Sequence, residues 1–376
     1  MAKYCIFCGN PPQNKNKEHV IPRWLIALTG DPKRSFFLGL DWYTPEEKDR
    51  IKSFAFDQLT FPSCTVCNAA FSSLEEKAKE VMNKMLGNAD LSGGEISLFF
   101  DWLDKVRIGL WLGMSQIHGN PANITPLFHI KKRMGLHDRM LILERTNYTE
   151  KRLLLAGIHT LSFMVTPSAF ILVVNNLFIT NISNQYLFSR RLGFPCLENV
   201  VRTGESLFKG NPSLGSERIM SPIIRRKIAE NGIELYQPIF KALNPHVNTS
   251  DFETTFLKEN CYDLSKGLGA IFQNFNGSYA RVKSDEVIST TTGDIRSDDE
   301  QVFASLINIL NWQISIDQGI AKFEQSIDID AKKQMERNAK DSIRRNRNQI
   351  KAIKMMQNIL MAQKLQRIQS VFGGNR

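Results

Sequence analysis

No stretch of this chain offers the roughly 20 uninterrupted apolar residues that a helix needs to cross a bilayer. The two longest apolar stretches are Leu161 to Ile182 and Ile96 to Met114. The first is broken by Pro167, Asn175 and Asn176, the second by Asp101, Asp104, Lys105 and Arg107. The amino-terminal MAKYCIFCGN also lacks the basic start, apolar run and small-residue cleavage site of an export signal. These absences argue against a helical membrane span and lead to the expectation of a cytoplasmic protein with no membrane partner. Cysteine is scarce, at six residues in 376. In a reducing compartment so few thiols point to metal ligation before disulfides. Net charge is missing from most of the chain as well. Residues 331–376 hold twelve Lys or Arg against two acids, Glu336 and Asp341, and so account for the whole formal charge of +10.

What is present suits a folded protein: 42% apolar and 23% charged residues, in a chain long enough for two or three structural units. The expected organisation is α+β. An amino-terminal module covers 1–92, an α+β region covers 93–297, and a helical region with a basic tail covers 298–376. Gly87-Asn88 and Ser92-Gly93-Gly94 punctuate the first boundary. Phe99, Trp102, Val106, Leu110, Met114 and Ile117 recur at three- and four-residue intervals, which predicts an amphipathic helix over 95–117. Short apolar runs at Met140–Leu143, Leu153–Ile158, Leu161–Val165 and Ala169–Ile182 predict strands, with a turn at Thr166-Pro167-Ser168. Ser221, Pro222 and Gly232 have the order of a helix cap, first turn and stop around 222–231. Acids at 298–300 suit a helix start, and from Ala331 no Pro or Gly occurs until Gly373, so a long basic helix is expected at the end.

Cys5-x-x-Cys8 and Cys64-x-x-Cys67 each present two thiols at knuckle spacing, and together they can close one tetrahedral Zn²⁺ sphere. Four protein ligands leave no open position, so the zinc would be structural, and it would add folding energy to a small module. Cys196 and Cys261 have no partner at ligand spacing and read as plain buried residues.

Between the pairs lies Lys17-Glu18-His19-Val20-Ile21-Pro22-Arg23-Trp24-Leu25, and Asn68-Ala69-Ala70-Phe71-Ser72-Ser73-Leu74-Glu75 follows the second pair. Over residues 5 to about 80 this order resembles the HNH endonucleases, the zinc-bearing branch of the ββα-metal nucleases. The resemblance implies a metal-dependent endonuclease acting on nucleic acid, DNA before RNA, and bacterial proteins of this type resemble restriction or anti-phage effectors. It implies His19 as the general base that activates water. Glu18 and Glu75 match the residues that hold a catalytic Mg²⁺ or Mn²⁺ separate from the zinc, and Asn68 matches the polar residue that orients base or metal. The family's middle Asn has no counterpart, since Val20 to Ser63 contains no Asn; Asp57 is the nearest polar substitute. The chemistry is coherent in itself. A neutral imidazole accepts a proton near neutral pH, and a carboxylate-held cation offsets phosphate charge. The alternative is a non-catalytic zinc module that binds DNA or protein, with His19 buried or capping.

The tail has two readings. Its Lys and Arg could lie along phosphates. Alternatively Ile350, Ile353, Leu360, Leu365 and Ile368 could form an apolar stripe against the body or another copy of the chain. A regulatory protein partner or homo-oligomer is compatible with either. His118, His129, His137, His159 and His246 lack ligand spacing, Lys131-Lys132-Arg133 reads as a solvated face, and Phe99, Phe100, Trp102 and Trp111 read as core.

Overall fold

A computed structural model describes residues 4–8, 10–12, 16–30, 33–38, 52–117, 138–158, 160, 163, 167–184, 195–202, 208–214, 231–239, 261–263, 268–275, 278–293, 296–320 and 329–372. Outside them lie the helix expected over 222–231 up to residue 230, Lys131-Lys132-Arg133, the five other histidines and most of Leu161–Val165. The side chains of Asp57, Cys196, Cys261, Leu365 and Ile368 are likewise outside the description.

The chain is a mixed helix-and-sheet protein. Its amino-terminal part contains β1 (Asn16–His19), α1 (Arg23–Leu28), β2 (Ser35–Leu38), β3 (Lys52–Ala55) and β4 (Thr60–Ser63), with β1 antiparallel to β4 and β2 to β3. Pro22, at φ −59°, precedes the first turn of α1, where a missing N–H costs nothing. Cys64 caps the long α2 (Thr65–Leu86), which Gly87 ends. The short β5 (Leu91–Ser92) leads straight into α3 (Gly93–Ile117). Ser92 and Glu95 start that helix as a reciprocal capping box. The Glu95 N–H donates to Ser92 Oγ at 3.2 Å, and the Ser92 N–H donates to Glu95 Oε2 at 2.8 Å. The Ser-Gly-Gly segment is therefore a helix start, and hydrophobic packing is continuous through this point.

Helix α3 is buried nearly all round. Phe99, Phe100, Trp102, Leu103, Val106, Leu110, Trp111, Leu112 and Met114 are at most 1% exposed. One side carries Gly109 and Gly113 at a four-residue interval, where the absent side chains let the helix approach the β1–β4 ribbon. A Cβ on Gly109 would stand 3.1 Å from Val20, and one on Gly113 would stand 3.4 Å from Leu59 and Phe61. The other side covers a sheet.

That sheet has seven antiparallel strands in the order β16 (Ser278–Val282), β15 (Ile271–Phe275), β12 (Ile233–Gln237), β6 (Asp138–Arg145), β9 (Leu177–Asn184), β8 (Ala169–Val174) and β7 (Leu153–Ala156). The remaining strands form small pairs: β10 (Pro195–Arg202) with β11 (Phe208–Leu214), β13 (Cys261–Asp263) with β14 (Leu268–Gly269), and β17 (Val287–Ile288) with β5. The apolar run 169–182 is folded into a hairpin by Asn175-Asn176. Asn175 sits at φ +55°, a left-handed conformation that Asn tolerates well. Alternate side chains divide between two cores. Leu141, Leu143, Leu172 and Ile179 face α3, while Met140, Ile142, Ile171 and Val173 face α4 (Asp298–Ile320) and α5 (Ile329–Phe372) through Leu306, Ile309, Leu310, Trp312 and Ile353. Coverage on both faces explains why these antiparallel strands read as continuous apolar runs rather than alternating ones.

Candidate metal centre and carboxylate cluster

The four cysteines come from two loops that the ribbon brings together. The Ile6 N–H donates to the Pro62 carbonyl at 3.1 Å, which pins the first knuckle to β4, and β4 ends at the helix cap that begins the second. Cys64 and Cys67 occupy the first turn of α2, where the positive end of the helix dipole favours thiolates. All four Sγ atoms lie within 4.8 Å of one another, and Cys8 and Cys64 are 3.8 Å apart. A tetrahedral zinc with Zn–S bonds of about 2.3 Å requires sulfurs about 3.8 Å apart. None of the four is in a disulfide.

Their protonation shows the strain of gathering thiols. Burial pushes Cys5 up, but the backbone N–H groups of Cys64, Cys8 and Phe7 outweigh it and bring the thiol down to about 7. The Cys64 N–H stands 3.2 Å from Cys5 Sγ. Burial together with the nearby Cys8 and Cys5 sulfurs drives Cys67 up to about 12. Such a set cannot carry four thiolates without a compensating cation, and a structural metal such as zinc fits it in donor type, number and spacing.

The acids expected at the catalytic site are brought together beside this centre. Strand alternation turns Glu18 inward, opposite Phe61 in the register, so that Glu18 is 4% exposed. On α2, Cys67, Phe71 and Glu75 follow at four-residue intervals and share a face, which carries Glu75 toward Glu18. The group between them is the ammonium of Lys105, from α3. Lys105 Nζ forms ion pairs with Glu18 Oε1 and, at 2.5 Å, with Glu75 Oε1. The Lys105 side chain is 5% exposed, against 6% for Glu18 and 24% for Glu75. The ammonium also lies 5.6 Å from the centroid of Phe71, whose ring stacks at 4.5 Å on Phe7, the residue between Cys5 and Cys8 in the first knuckle. Burial holds the Glu18 carboxyl above the ordinary carboxylate range; Lys105 pulls it down and Glu75 adds to the rise.

This surrounding does not fit a divalent cation between the carboxylates. Mg²⁺ demands a near-octahedral shell of oxygens, most of them waters. Glu18 and Glu75 are instead lined by an ammonium and an aromatic face.

His19 is not part of that cluster. One residue on from Glu18, it points to the other face of β1 with Thr60, and it is half-buried. The exposed Arg23, first residue of α1, donates from Nε to His19 Nε2 at 3.3 Å. Asn68 follows Cys67 in the first turn of α2, with its N–H on the Cys64 carbonyl at 2.9 Å. Among the described contacts, its side chain joins neither His19 nor the carboxylates. Lys105 and Arg23 are thus the residues that motif reading missed. Lys105 is visible in sequence only as a charge interrupting an apolar helical stripe, and Arg23 only as the position after Pro22.

At the far end of the chain, Lys340, Arg344, Arg347 and Lys351 line one exposed groove of α5. Ile350 and Ile353 pack on the body, whereas Met355, Ile359, Leu360 and Met361 are 39–65% exposed. No helix among the described residues is long and apolar enough to cross a membrane. No protein-family model, curated protein or solved structure matches this chain.

Proposed function

We propose that this chain is a nuclease whose amino-terminal, zinc-stapled head of the HNH type hydrolyses phosphodiester bonds of nucleic acid, DNA in preference to RNA. The observation that carries the proposal is a meeting of parts. Glu18 of the Glu18-His19-x-x-Pro22 segment and Glu75 of the helix after the second Cys pair join one cluster beside the four sulfurs. That leaves His19 half-buried on the other face of the same strand, with Arg23 as a cationic neighbour. In this scheme His19 takes the proton of an attacking water, after the long hydrogen bond from Arg23 releases Nε2, and the guanidinium turns to the phosphate. The basic face of α5 supplies further phosphate contacts. Lys340, Arg344, Arg347 and Lys351 follow at intervals of four, three and four residues and so lie along one side of the helix for about 16 Å.

One observation favours a second reading, the non-catalytic zinc module that binds DNA or protein: both cluster acids are already ion-paired. Incubating the zinc-loaded protein with plasmid DNA and with RNA separates the two. His19→Ala should leave fold and zinc intact while cleavage falls by about 10² to 10⁴, the usual worth of a positioned base. Cleavage unchanged in well-folded, zinc-loaded His19→Ala would end the nuclease proposal.

A further inference from the structure

Two carboxylates aimed at one point beside a zinc knuckle are the arrangement from which a divalent cation site would be assembled, and here the point is filled from within the chain. We propose that the Lys105 ammonium takes the place of that cation, so that the head holds no divalent metal at Glu18 and Glu75. The inference rests on the nuclease proposal only for the expectation of a metal there; its observations stand apart from any cleavage.

Three features support it. First, the ammonium is paired with both carboxylates at once, and its side chain is 5% exposed, so it is neither a surface lysine passing by nor a group left to water. A Lys ammonium has three N–H donors, and the two carboxylates engage it directly. Second, Lys105 cannot easily withdraw. Its helix packs closely against the ribbon that carries Glu18, through Gly113 near Leu59 and Phe61 and through Gly109 on Val20, where even a methyl group would press on its neighbour. The face around it is fixed by Phe99, Trp102 and Val106, each fully buried. Third, the ammonium is tied to the zinc centre through the Phe71 ring and its stack on Phe7, between Cys5 and Cys8. The same packing that positions the sulfurs therefore positions the lysine. A cation delivered by rigid packing needs no recruitment from solution, but it cannot offer the open coordination positions that a metal gives to water and phosphate. Lys105 is accordingly a positioning residue: it holds Glu18 and Glu75 in place and does not reach substrate.

The test is metal binding read directly. Zinc-loaded full-length wild type, Glu75→Gln, Lys105→Met and Lys105→Met/Glu75→Gln are titrated with Mn²⁺, and free Mn²⁺ is followed by electron paramagnetic resonance. Thermal midpoints are measured with and without Mn²⁺. Wild type and Glu75→Gln should bind Mn²⁺ equally weakly, with no midpoint shift. Lys105→Met should gain one site per chain, tighter by about tenfold or more, with a midpoint that Mn²⁺ raises, and the added Glu75→Gln should remove it. One Mn²⁺ per chain on wild type that Glu75→Gln abolishes would overturn the proposal. So would a folded Lys105→Met that gains no site. Should Lys105→Met fail to fold even with Mn²⁺, the comparison of wild type with Glu75→Gln still decides. A head that cuts no nucleic acid but behaves this way loses the nuclease proposal and keeps this one.

Discussion

Two clusters of like groups sit side by side in the amino-terminal part, and they satisfy their charge in opposite ways. Four sulfurs gather within 4.8 Å, and their protonation diverges, Cys5 falling to about 7 and Cys67 rising to about 12. Two carboxylates gather around Lys105, and each is ion-paired to it. The difference teaches what makes a site call for metal. It is less the number of ligand-type residues than their chemistry and what packing has placed between them, as Lys105 is placed between Glu18 and Glu75. Four thiols at ligand spacing suit a structural metal such as zinc, whereas carboxylates joined by a buried ammonium are largely completed by the fold.

The strongest way to break that contrast is to remove the sulfur side. Cys64→Ser/Cys67→Ser should abolish zinc binding and unfold the head. Structural zinc contributes on the order of 10 kcal/mol in small modules, and the Phe7–Phe71 stack depends on the knuckle. Full zinc content by metal analysis with an unchanged thermal midpoint would refute this.

On the carboxylate side the effect should be smaller but still large. Lys105→Met strands two acids at low exposure, and losing one member of a buried ion cluster costs about 3–5 kcal/mol. Adding Glu18→Gln should recover part of the loss, and a denaturant double-mutant cycle would show it. Purely additive losses would mean that the pair does not interact.

A finer effect follows from pH. Glu18 is held above its ordinary range by burial, despite Lys105. The folded state therefore binds the Glu18 proton more tightly than the unfolded chain, so this contribution to stability is fully present below the ordinary carboxylate pKa. It is lost as pH rises through the raised value. The stability of wild type relative to Glu18→Gln should accordingly grow as pH falls from neutrality into that window. A difference that stays flat would show that Lys105 balances the burial, and one that shrinks would show that it outweighs it; either result would refute the raised value.

On α5, Lys340→Gln/Arg344→Gln/Arg347→Gln/Lys351→Gln should leave stability almost unchanged, because all four side chains are exposed. If α5 lies along phosphates, the salt dependence of DNA binding should flatten by up to about 3 to 4 in its log–log slope. An unaltered slope would assign the helix to packing or self-association instead.

Much of this was legible from residues alone, for reasons that differ from place to place. Cys5-x-x-Cys8 and Cys64-x-x-Cys67 announce a shared cluster because ligand spacing within a knuckle is local geometry. The helix expected over 95–117 follows from its three- and four-residue apolar interval, though it starts two residues earlier, at Gly93, and Glu75 falls on the same helix face as Cys67 by simple periodicity. The hairpin inside 169–182 was harder, since both faces of β8 and β9 are covered and the apolar run hides its own turn. Only Asn175-Asn176 betrays it.

What sequence could determine by itself is therefore what depends on neighbours along the chain: the Cys pairs, the helix faces, the adjacency of Glu18 and His19, and the concentration of basic residues after Ala331. Only the tertiary structure decided which way those groups look. Strand alternation sends Glu18 inward and His19 outward. The close approach of α3 over Gly109 and Gly113 places a lysine from a distant helix between two acids. No local pattern encodes that meeting, because it depends on how a helix and a ribbon pack, and packing is settled by the whole core at once.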